Sequence, residues 1–231
     1  MINAHMKSSK KIIGFITIGE SPRTDITSEI EPLLGADIKI MECGALDGLG
    51  RDEIKDLAPR PGDYVLVTRL RDGTMVKLSR DKIVSRMQRC INNLEAHVDV
   101  IGLLCTGDFP ELSSRKVMIE PSRLIMNVVS SLSNVKRLGV IVHDKEQVHM
   151  EEERWGRIDN DVIVVPVSAY LSAEDDFRSA AEYLRDSDAD LVILDSLGYN
   201  IKMKNIVREV SGKPVILPRT VMAEVIKELT T

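Results

Sequence analysis

The sequence predicts an α/β protein made of two similar halves around a ligand crevice, and three features carry that reading. Short apolar runs rich in Ile, Val and Leu alternate along the chain with amphipathic segments of helical period, the pattern of parallel strands joined by helices. One run, VDVIGLLCTGDFP (Val98–Pro110), passes straight into Cys105, Thr106, Gly107 and Asp108. A second, ADLVILDSLGYN (Ala189–Asn200), repeats the plan with Ser196 in the place of Cys105. In open α/β sheets ligands bind outside the carboxyl ends of the strands, so both loops are candidates for chemistry.

Taken in order, Lys11–Ile18 reads as a buried first strand. It runs into the turn-rich Gly19–Arg23 and a helix that Thr24 or Asp25 could cap. Ile38–Glu42 is a second strand, Gly44–Gly50 a loop, and Asp52–Leu57 a short helix stopped by Pro59 and Pro61. Tyr64–Arg69 and Met75–Leu78 flank Asp72-Gly73, predicting an antiparallel hairpin inserted into the βα chain. Ser79 caps a helix to about His97, with Ile83, Met87, Ile91 and Leu94 on one face; His97 complements its dipole.

After the Cys105 loop come helix Pro121–Leu132, strand Arg137–Val142, charged helix Lys145–Trp155 and strand Val162–Val167. Helix Ala173–Arg185, strand Leu191–Leu194, helix Ile201–Val210, strand Pro214–Leu217 and helix Val221–Leu229 complete the chain. Each half thus runs strand, helix, strand, helix, then an apolar strand ending in a polar-x-Gly loop. No Gly- or Pro-rich linker separates them, so the halves are expected to pack closely, with the ligand in the crevice between their strand ends.

Composition narrows the function classes. With 231 residues, 43% of them hydrophobic, the chain can bury a sizeable core. The net charge of −5, with acids and bases interspersed, argues against nucleic-acid and membrane-surface partners. No apolar run reaches the roughly 18 residues that span a bilayer. The polar start MINAHMKSSKK lacks the apolar region of a secretory signal, so the expected compartment is the cytoplasm. The first ten residues are expected outside the fold, with His5 a tail residue. There is no Walker A sequence, no GxGxxG and no HExxH, and no cofactor or metal is expected.

The three cysteines, Cys43, Cys90 and Cys105, show neither CxxC spacing nor a nearby His cluster. Cys43 and Cys90 are read as small buried hydrophobes. Cys105 alone stands where a reactive thiol is useful, activated by N–H groups around Gly107 or else inert at a strand end. Ser196, beside Asp195, either caps the next helix or hydrogen-bonds a ligand, with Gly198 in a tight turn and Tyr199 next to it. Thr17, Ser21 and Arg23 lie in the loop after the first strand; Arg23 either grips a carboxylate bidentately or is solvated. Arg69 and Arg71 are read first as solvated. Asp108 either orients Cys105 or caps a turn, and His143 follows a strand end as a candidate general acid or base. Trp155 is read as a core or interface residue.

Several blocks together resemble the AroM family: TIGESPRTD (Thr17–Asp25), RDGTMVKLSRDKI (Arg71–Ile83), LLCTGDFP (Leu103–Pro110), IEPSRL (Ile119–Leu124), RLGVIVHDKEQ (Arg137–Gln147), ILDSLGY (Ile193–Tyr199) and PVILPRTVMAEVIKEL (Pro214–Leu229). The family is similar to the aspartate/glutamate racemase superfamily. The resemblance implies two pseudo-symmetric flavodoxin-like halves, residues 11–117 with 214–231 and residues 118–213, the last strand and helix returning to the first half. It implies a catalytic cysteine at the end of one strand in each half, Cys105 in the first, with Thr106 following as in the superfamily's Cys-Thr loops. The second falls on Ser196, where relatives are expected to carry Asp-Cys, and at position 143 relatives more often carry Pro. Two-thiol racemisation needs a base on each face of a carbon, and a serine hydroxyl is far less acidic than a thiol.

Two functional expectations follow. The first is a cofactor-independent isomerase, racemase or decarboxylase-type lyase acting on a small carboxylic acid through Cys105. Thr106, Ser196 and Arg23 would then bind the carboxylate, with Thr17, Ser21, Gly107, Asp108, His143, Gly198 and Tyr199 as further ligand-facing candidates. The second is a non-catalytic protein that binds a small anion in a degenerate crevice. The resemblance also makes a homodimer an expected assembly.

Overall fold

The computed structural model describes residues 10–35, 37–158 and 161–231, so His5 lies outside the described residues. The first half holds β1 (Lys11–Thr17), α1 (Thr24–Leu34), β2 (Ile38–Gly44), α2 (Arg51–Asp56), β3 (Val65–Arg69), β4 (Met75–Ser79), α3 (Arg80–Leu94), β5 (Val100–Leu103) and β6 (Val117–Ile119). Then follow α4 (Pro121–Ser130), β7 (Arg137–Val142), a 3₁₀ turn at Lys145–Gln147 leading into α5 (Val148–Gly156), β8 (Asp161–Pro166) and α6 (Glu174–Asp186). The chain finishes with β9 (Leu191–Leu194), α7 (Ile201–Ser211), β10 (Val215–Ile216) and α8 (Pro218–Thr230).

Two four-stranded sheets, each parallel throughout, form the frame, in the orders β2-β1-β5-β6 and β8-β7-β9-β10. Counted within its own sheet, with the hairpin set aside, each reads second, first, third, fourth strand, so the halves share one topology. The order reverses between β1 and β5 in one sheet and between β7 and β9 in the other. Crevices open at such switch points, outside the carboxyl ends of the strands. The Cys105 and Ser196 loops leave β5 and β9 there.

Strand alternation sets the layers. Ile13 and Phe15 of β1 pack with Ile26 and Ile30 of α1 and with Met222 and Ile226 of α8. Ile16 faces the other way, into a core with Ile83, Met87 and Ile91 of α3. In the second half Val140 joins Trp155 of α5 and Ile125 of α4, while Ile141 joins Phe177 and Leu184 of α6. Gly102 of β5 leaves room for the ring of its cross-strand neighbour Phe15 beneath α8, since a Cβ there would meet that ring at 2.8 Å and Met222 Sδ at 3.4 Å. Among the described residues no helix is long and apolar enough to cross a membrane.

Four features depart from the sequence expectations. β10 pairs with β9 in the second sheet, so the strand at residues 214–217 stays in the second half, and α8 is the element that packs on α1. β6 forms at the sheet edge from a segment with no strand signal of its own, held by three backbone pairs to β5. The first helix has Arg23 as its N-cap with no side-chain cap, because Asp25 is engaged by the Arg23 guanidinium instead. Cys43, on β2, and Cys90, on α3, form a disulfide with their Cα atoms 5.5 Å apart; packing of α3 under the sheet brings together positions 47 residues apart in sequence.

The β3–β4 hairpin forms as its sequence predicts and pairs with neither large sheet. It lies between the halves. Gln147 Nε2 donates to the Val65 carbonyl at 3.3 Å, and Lys77 Nζ reaches Asp144 at 2.9 Å and Glu146 at 3.1 Å.

Phe15, with no exposed surface, joins β1 to α1 and α8. Phe15→Ala is expected to cost about 3–5 kcal/mol in equilibrium urea unfolding, transfer and cavity terms together. A cost below about 1 kcal/mol would contradict this layer assignment.

Candidate active site

Equivalent hydrogen bonds place the two strand-end loops. Leu104 N donates to the Ile16 carbonyl at 2.7 Å, and Asp195 N donates to the Ile141 carbonyl at 2.9 Å. Cys105 and Ser196 each stand one residue beyond those bonds, so the two loops meet from pseudo-equivalent positions. They join across the crevice where Thr106 Oγ1 donates to the Asp195 carbonyl at 3.1 Å.

Between them is a small cavity. Cys105, Thr106 and Gly107 line it from the first half, and Val142, His143, Asp195 and Ser196 from the second. Gln147 and Glu151 close one side, and Tyr64, Leu66 and Val67 roof it from the hairpin and the residue before it. Its free volume is about 20 Å³. That is room for about one water molecule and for no carboxylic acid.

Cys105 is buried, and its Sγ accepts the Gly107 N–H at 3.3 Å. Burial outweighs that hydrogen bond and pushes the thiol up to about 12. The N–H nest expected to activate the sulfur is therefore present in part, but the sulfur stays a thiol. Its capacity is to give a proton. Gly107 also lets the loop approach the hairpin, for a Cβ there would meet Leu66 at 2.8 Å.

Ser196 has a partner that sequence distance hides. His143 Nε2 lies 2.7 Å from Ser196 Oγ, and the Ala169 N–H points at His143 Nδ1 at 3.2 Å. Burial first, and the nearby Arg23 charge second, push His143 down to about 3, so the ring is neutral. With Nδ1 accepting from Ala169, the single ring hydrogen is assigned to Nε2, which donates to Ser196 Oγ. Gly198 N–H donates to the same oxygen at 3.0 Å. Both acceptor positions of Oγ are filled, which leaves its O–H to donate onward. Ser196 is thus equipped as a donor and not as a base, and His143 cannot deprotonate it in this tautomer.

The imidazole is clamped between Tyr170 and Tyr199, with ring centroids 4.8 and 4.9 Å away. Tyr199 OH donates to the Val167 carbonyl at 2.7 Å, so this side chain supports the ring. Gly198 is needed for that stack, since a Cβ would lie 2.5 Å from Tyr170 OH.

Behind the cavity stands a buried charge cluster. Arg154 donates through Nε to Glu151, through Nη2 to Asp195, and through Nη1 to the Thr106 carbonyl at 3.0 Å and Ser122 Oγ at 2.8 Å. Trp155 Nε1 donates to Asp195 Oδ2 at 2.7 Å. Sequence reading put Trp155 in the core or an interface but passed over Glu151 and Arg154 as part of a charged helix. The available signal was Trp155 itself, which marks the inward face of α5 and shares it with Glu151 one turn earlier.

The other sequence candidates take supporting places. Arg23 is buried and binds Asp25 through Nε at 2.8 Å and Nη2 at 2.7 Å, with further bonds to Thr17, Thr68 and Tyr170. Its fork is occupied by a residue of the chain. Thr17 Oγ1 also accepts the Gly19 N–H at 3.1 Å, and Ser21 Oγ donates to Asp47 at 2.5 Å. Asp108 offers its backbone N–H to Tyr64 OH at 3.3 Å and its carbonyl to Arg80. Arg71 pairs with Asp47 and Glu20, and Arg69 is exposed.

The chain matches the family model described as AroM protein over residues 13–230. No curated protein sequence matches it. Among solved structures it is similar to an aspartate racemase from Picrophilus torridus, at 14% identity and a TM-score of 0.59, covering 95% of this chain and 94% of that one. It is similar to the maleate isomerase Iso from Pseudomonas putida S16, at 15% identity and a TM-score of 0.59, covering 92% and 90%. It is also similar to an unliganded arylmalonate decarboxylase, at 11% identity and a TM-score of 0.61, covering 96% and 93%. The fold is the two-half Rossmann-like fold of those proteins, and the chain belongs to the AroM family.

The neutral His143 makes a prediction about stability. Unfolded, the imidazole titrates near its ordinary 6.5; folded, it stays neutral down to about 3. Between those values the unfolded chain binds the extra proton, so stability falls as pH drops through the window, by at most about 1.4 kcal/mol per pH unit. His143→Gln should flatten that fall in urea unfolding series. An unchanged slope in the variant would contradict a buried neutral ring.

Proposed function

We propose that this AroM-family chain is a cofactor-independent enzyme that protonates a carbanion-like carbon of a small carboxylic acid, with the Cys105 thiol as proton donor. The observation that carries the reading is a thiol held neutral by burial, facing a cavity into which the pseudo-equivalent Ser196 can direct its hydroxyl hydrogen. A neutral thiol protonates an enolate-like carbon and is itself a poor base. Ser196 O–H and the Thr106 loop would hold the carboxylate oxygens on which charge develops. One thiol on one face suits decarboxylation, in which loss of CO₂ leaves the electron pair on carbon and the thiol supplies the proton that takes its place. Racemisation by two thiols lacks its second thiol at Ser196. The three structural relatives named above include a racemase, an isomerase and a decarboxylase, which frames the class of reaction and leaves the substrate open.

The test is turnover. Small mono- and dicarboxylic acids, including substituted malonates, would be followed in D₂O by NMR for carbon deuteration and by CO₂ release. Cys105→Ala is expected to lower the responding activity by about 10²–10⁴-fold. A variant as active as the parent chain would remove Cys105 from the reaction.

One observation favours a second reading, a small-anion binding protein: Ser196 stands where the second thiol of the two-thiol arrangement would be. Ligand-dependent stabilisation with neither deuteration nor CO₂ release would decide for it.

Both readings require the cavity to open, because a carboxylic acid does not fit in about 20 Å³. The hairpin is the movable wall, being paired to neither sheet and tied to the second half by Lys77 and by Gln147. Lys77 and Asp144 are half-buried and still reached by solvent, and screened pairs of this kind hold about 1 kcal/mol. Lys77→Ala should therefore speed amide hydrogen exchange in β3 and β4 by up to about 5-fold, with β5 and β9 unchanged. Equal acceleration in all four strands would show that the hairpin does not open by itself.

A further inference from the structure

The Arg154 guanidinium presents Nε–H and Nη2–H as parallel prongs, the edge that ordinarily grips both oxygens of one carboxylate. Here the edge is divided, Nε donating to Glu151 Oε2 and Nη2 to Asp195 Oδ2. Two oxygens from different carboxyl groups are thereby brought side by side. Both side chains and the arginine are buried. Two adjacent carboxylates sharing one cation in such a place leave an uncompensated charge unless one of them holds a proton. Asp195 Oδ2 accepts from Trp155 Nε1 as well, so that oxygen has two donors. Glu151 has its Arg154 contact and lines the Cys105 cavity.

We propose that Glu151 is the site's proton store, a carboxyl that stays neutral beside Asp195 and returns a proton to Cys105 after the thiol has given up its own. This rests on the reading of Cys105 as proton donor. In the first step the S–H bond breaks as a C–H bond forms on the substrate carbon, leaving a thiolate. In the second the Glu151 O–H bond breaks and the S–H bond re-forms, leaving a carboxylate that takes a proton from solvent when the cavity opens. The charged and titratable groups around Glu151 and its cavity are Arg154 on its own helix, Asp195 after β9, Tyr64 before β3, Cys105 after β5 and the neutral His143 after β7. Burial raises Tyr64 and Cys105 well above neutrality, so neither competes as an acid near pH 7. Burial first, and the Asp195 charge second, push Glu151 up to about 8 against the pull of Arg154.

Infrared difference spectroscopy of the whole chain tests the store without a substrate. Between about pH 6 and about pH 10 the parent chain should lose a buried carboxylic-acid C=O band with a midpoint near 8. Glu151→Gln, isosteric with the neutral acid, should lack the band, and Cys105→Ala should keep it. Asp195→Asn should move the midpoint down, because the neighbouring charge is gone; circular dichroism checks that each variant is folded. The alkylation rate of Cys105 by iodoacetamide should rise with pH and bend near 8 in the parent chain, and rise without a bend in Glu151→Gln, since the new carboxylate raises the thiol further. No band in the parent chain, or an unchanged band in Glu151→Gln, overturns the proposal even where Cys105-dependent turnover is intact. The expected band and bend in a chain whose turnover is indifferent to Cys105→Ala would instead overturn the donor reading, and the return step with it.

Discussion

Arg154 fixes the relation between the two halves at the site. Its guanidinium reaches the Thr106 carbonyl in the loop after β5 and the Asp195 carboxylate in the loop after β9, while Trp155 secures that carboxylate from the next position on α5. A buried cation is costly to desolvate, and only dense pairing makes it tolerable. Here every nitrogen has a partner, and among the described residues no buried side-chain nitrogen or oxygen is left without one. Removing one partner of such a cluster ordinarily costs about 3–5 kcal/mol, because the charge left behind stays buried. The geometry of Cys105 and Ser196 is in this sense an electrostatic result as much as a packing one.

The same burial decides what the site can do. A thiol near a helix N-terminus or a bare nest of N–H groups becomes a thiolate; one shut into a closed cavity does not. Cys105 receives one N–H and loses its solvent, and the second effect is the larger. His143 follows the same logic in reverse, losing its charge between two tyrosine rings and becoming a fixed donor to Ser196. Desolvation thus converts a cysteine, a histidine and a serine that together suggest nucleophilic chemistry into a set of neutral proton donors.

The hairpin narrows the cavity. It interrupts an otherwise regular βα chain, pairs only with itself, and lays Leu66 and Val67 across the strand ends. Its Leu66 and Leu78 are seated in the core of the first half, while its ties to the second half are the side chains of Lys77 and Gln147. The wall of the cavity and the loops that carry Cys105 and Ser196 therefore come from different parts of the chain.

The sequence by itself determined the α/β class, the strand cores, the hairpin and the matching loops at Cys105 and Ser196. Those features are local: an apolar run, a turn pair and a polar-x-Gly ending are written in consecutive residues. Even the failure of Ser196 as a base was legible, because the acidity of a hydroxyl is a property of the residue. Tertiary structure decided the rest. The Cys43–Cys90 bond depends on how α3 packs under the first sheet, and the placement of β10 on which strand its two residues reach. The partnership of His143 with Ser196, and the sharing of one arginine edge by Glu151 and Asp195, join residues from separate elements. Charge states at the site follow from burial, and burial is a property of the folded whole, so no reading of neighbours along the chain could supply them.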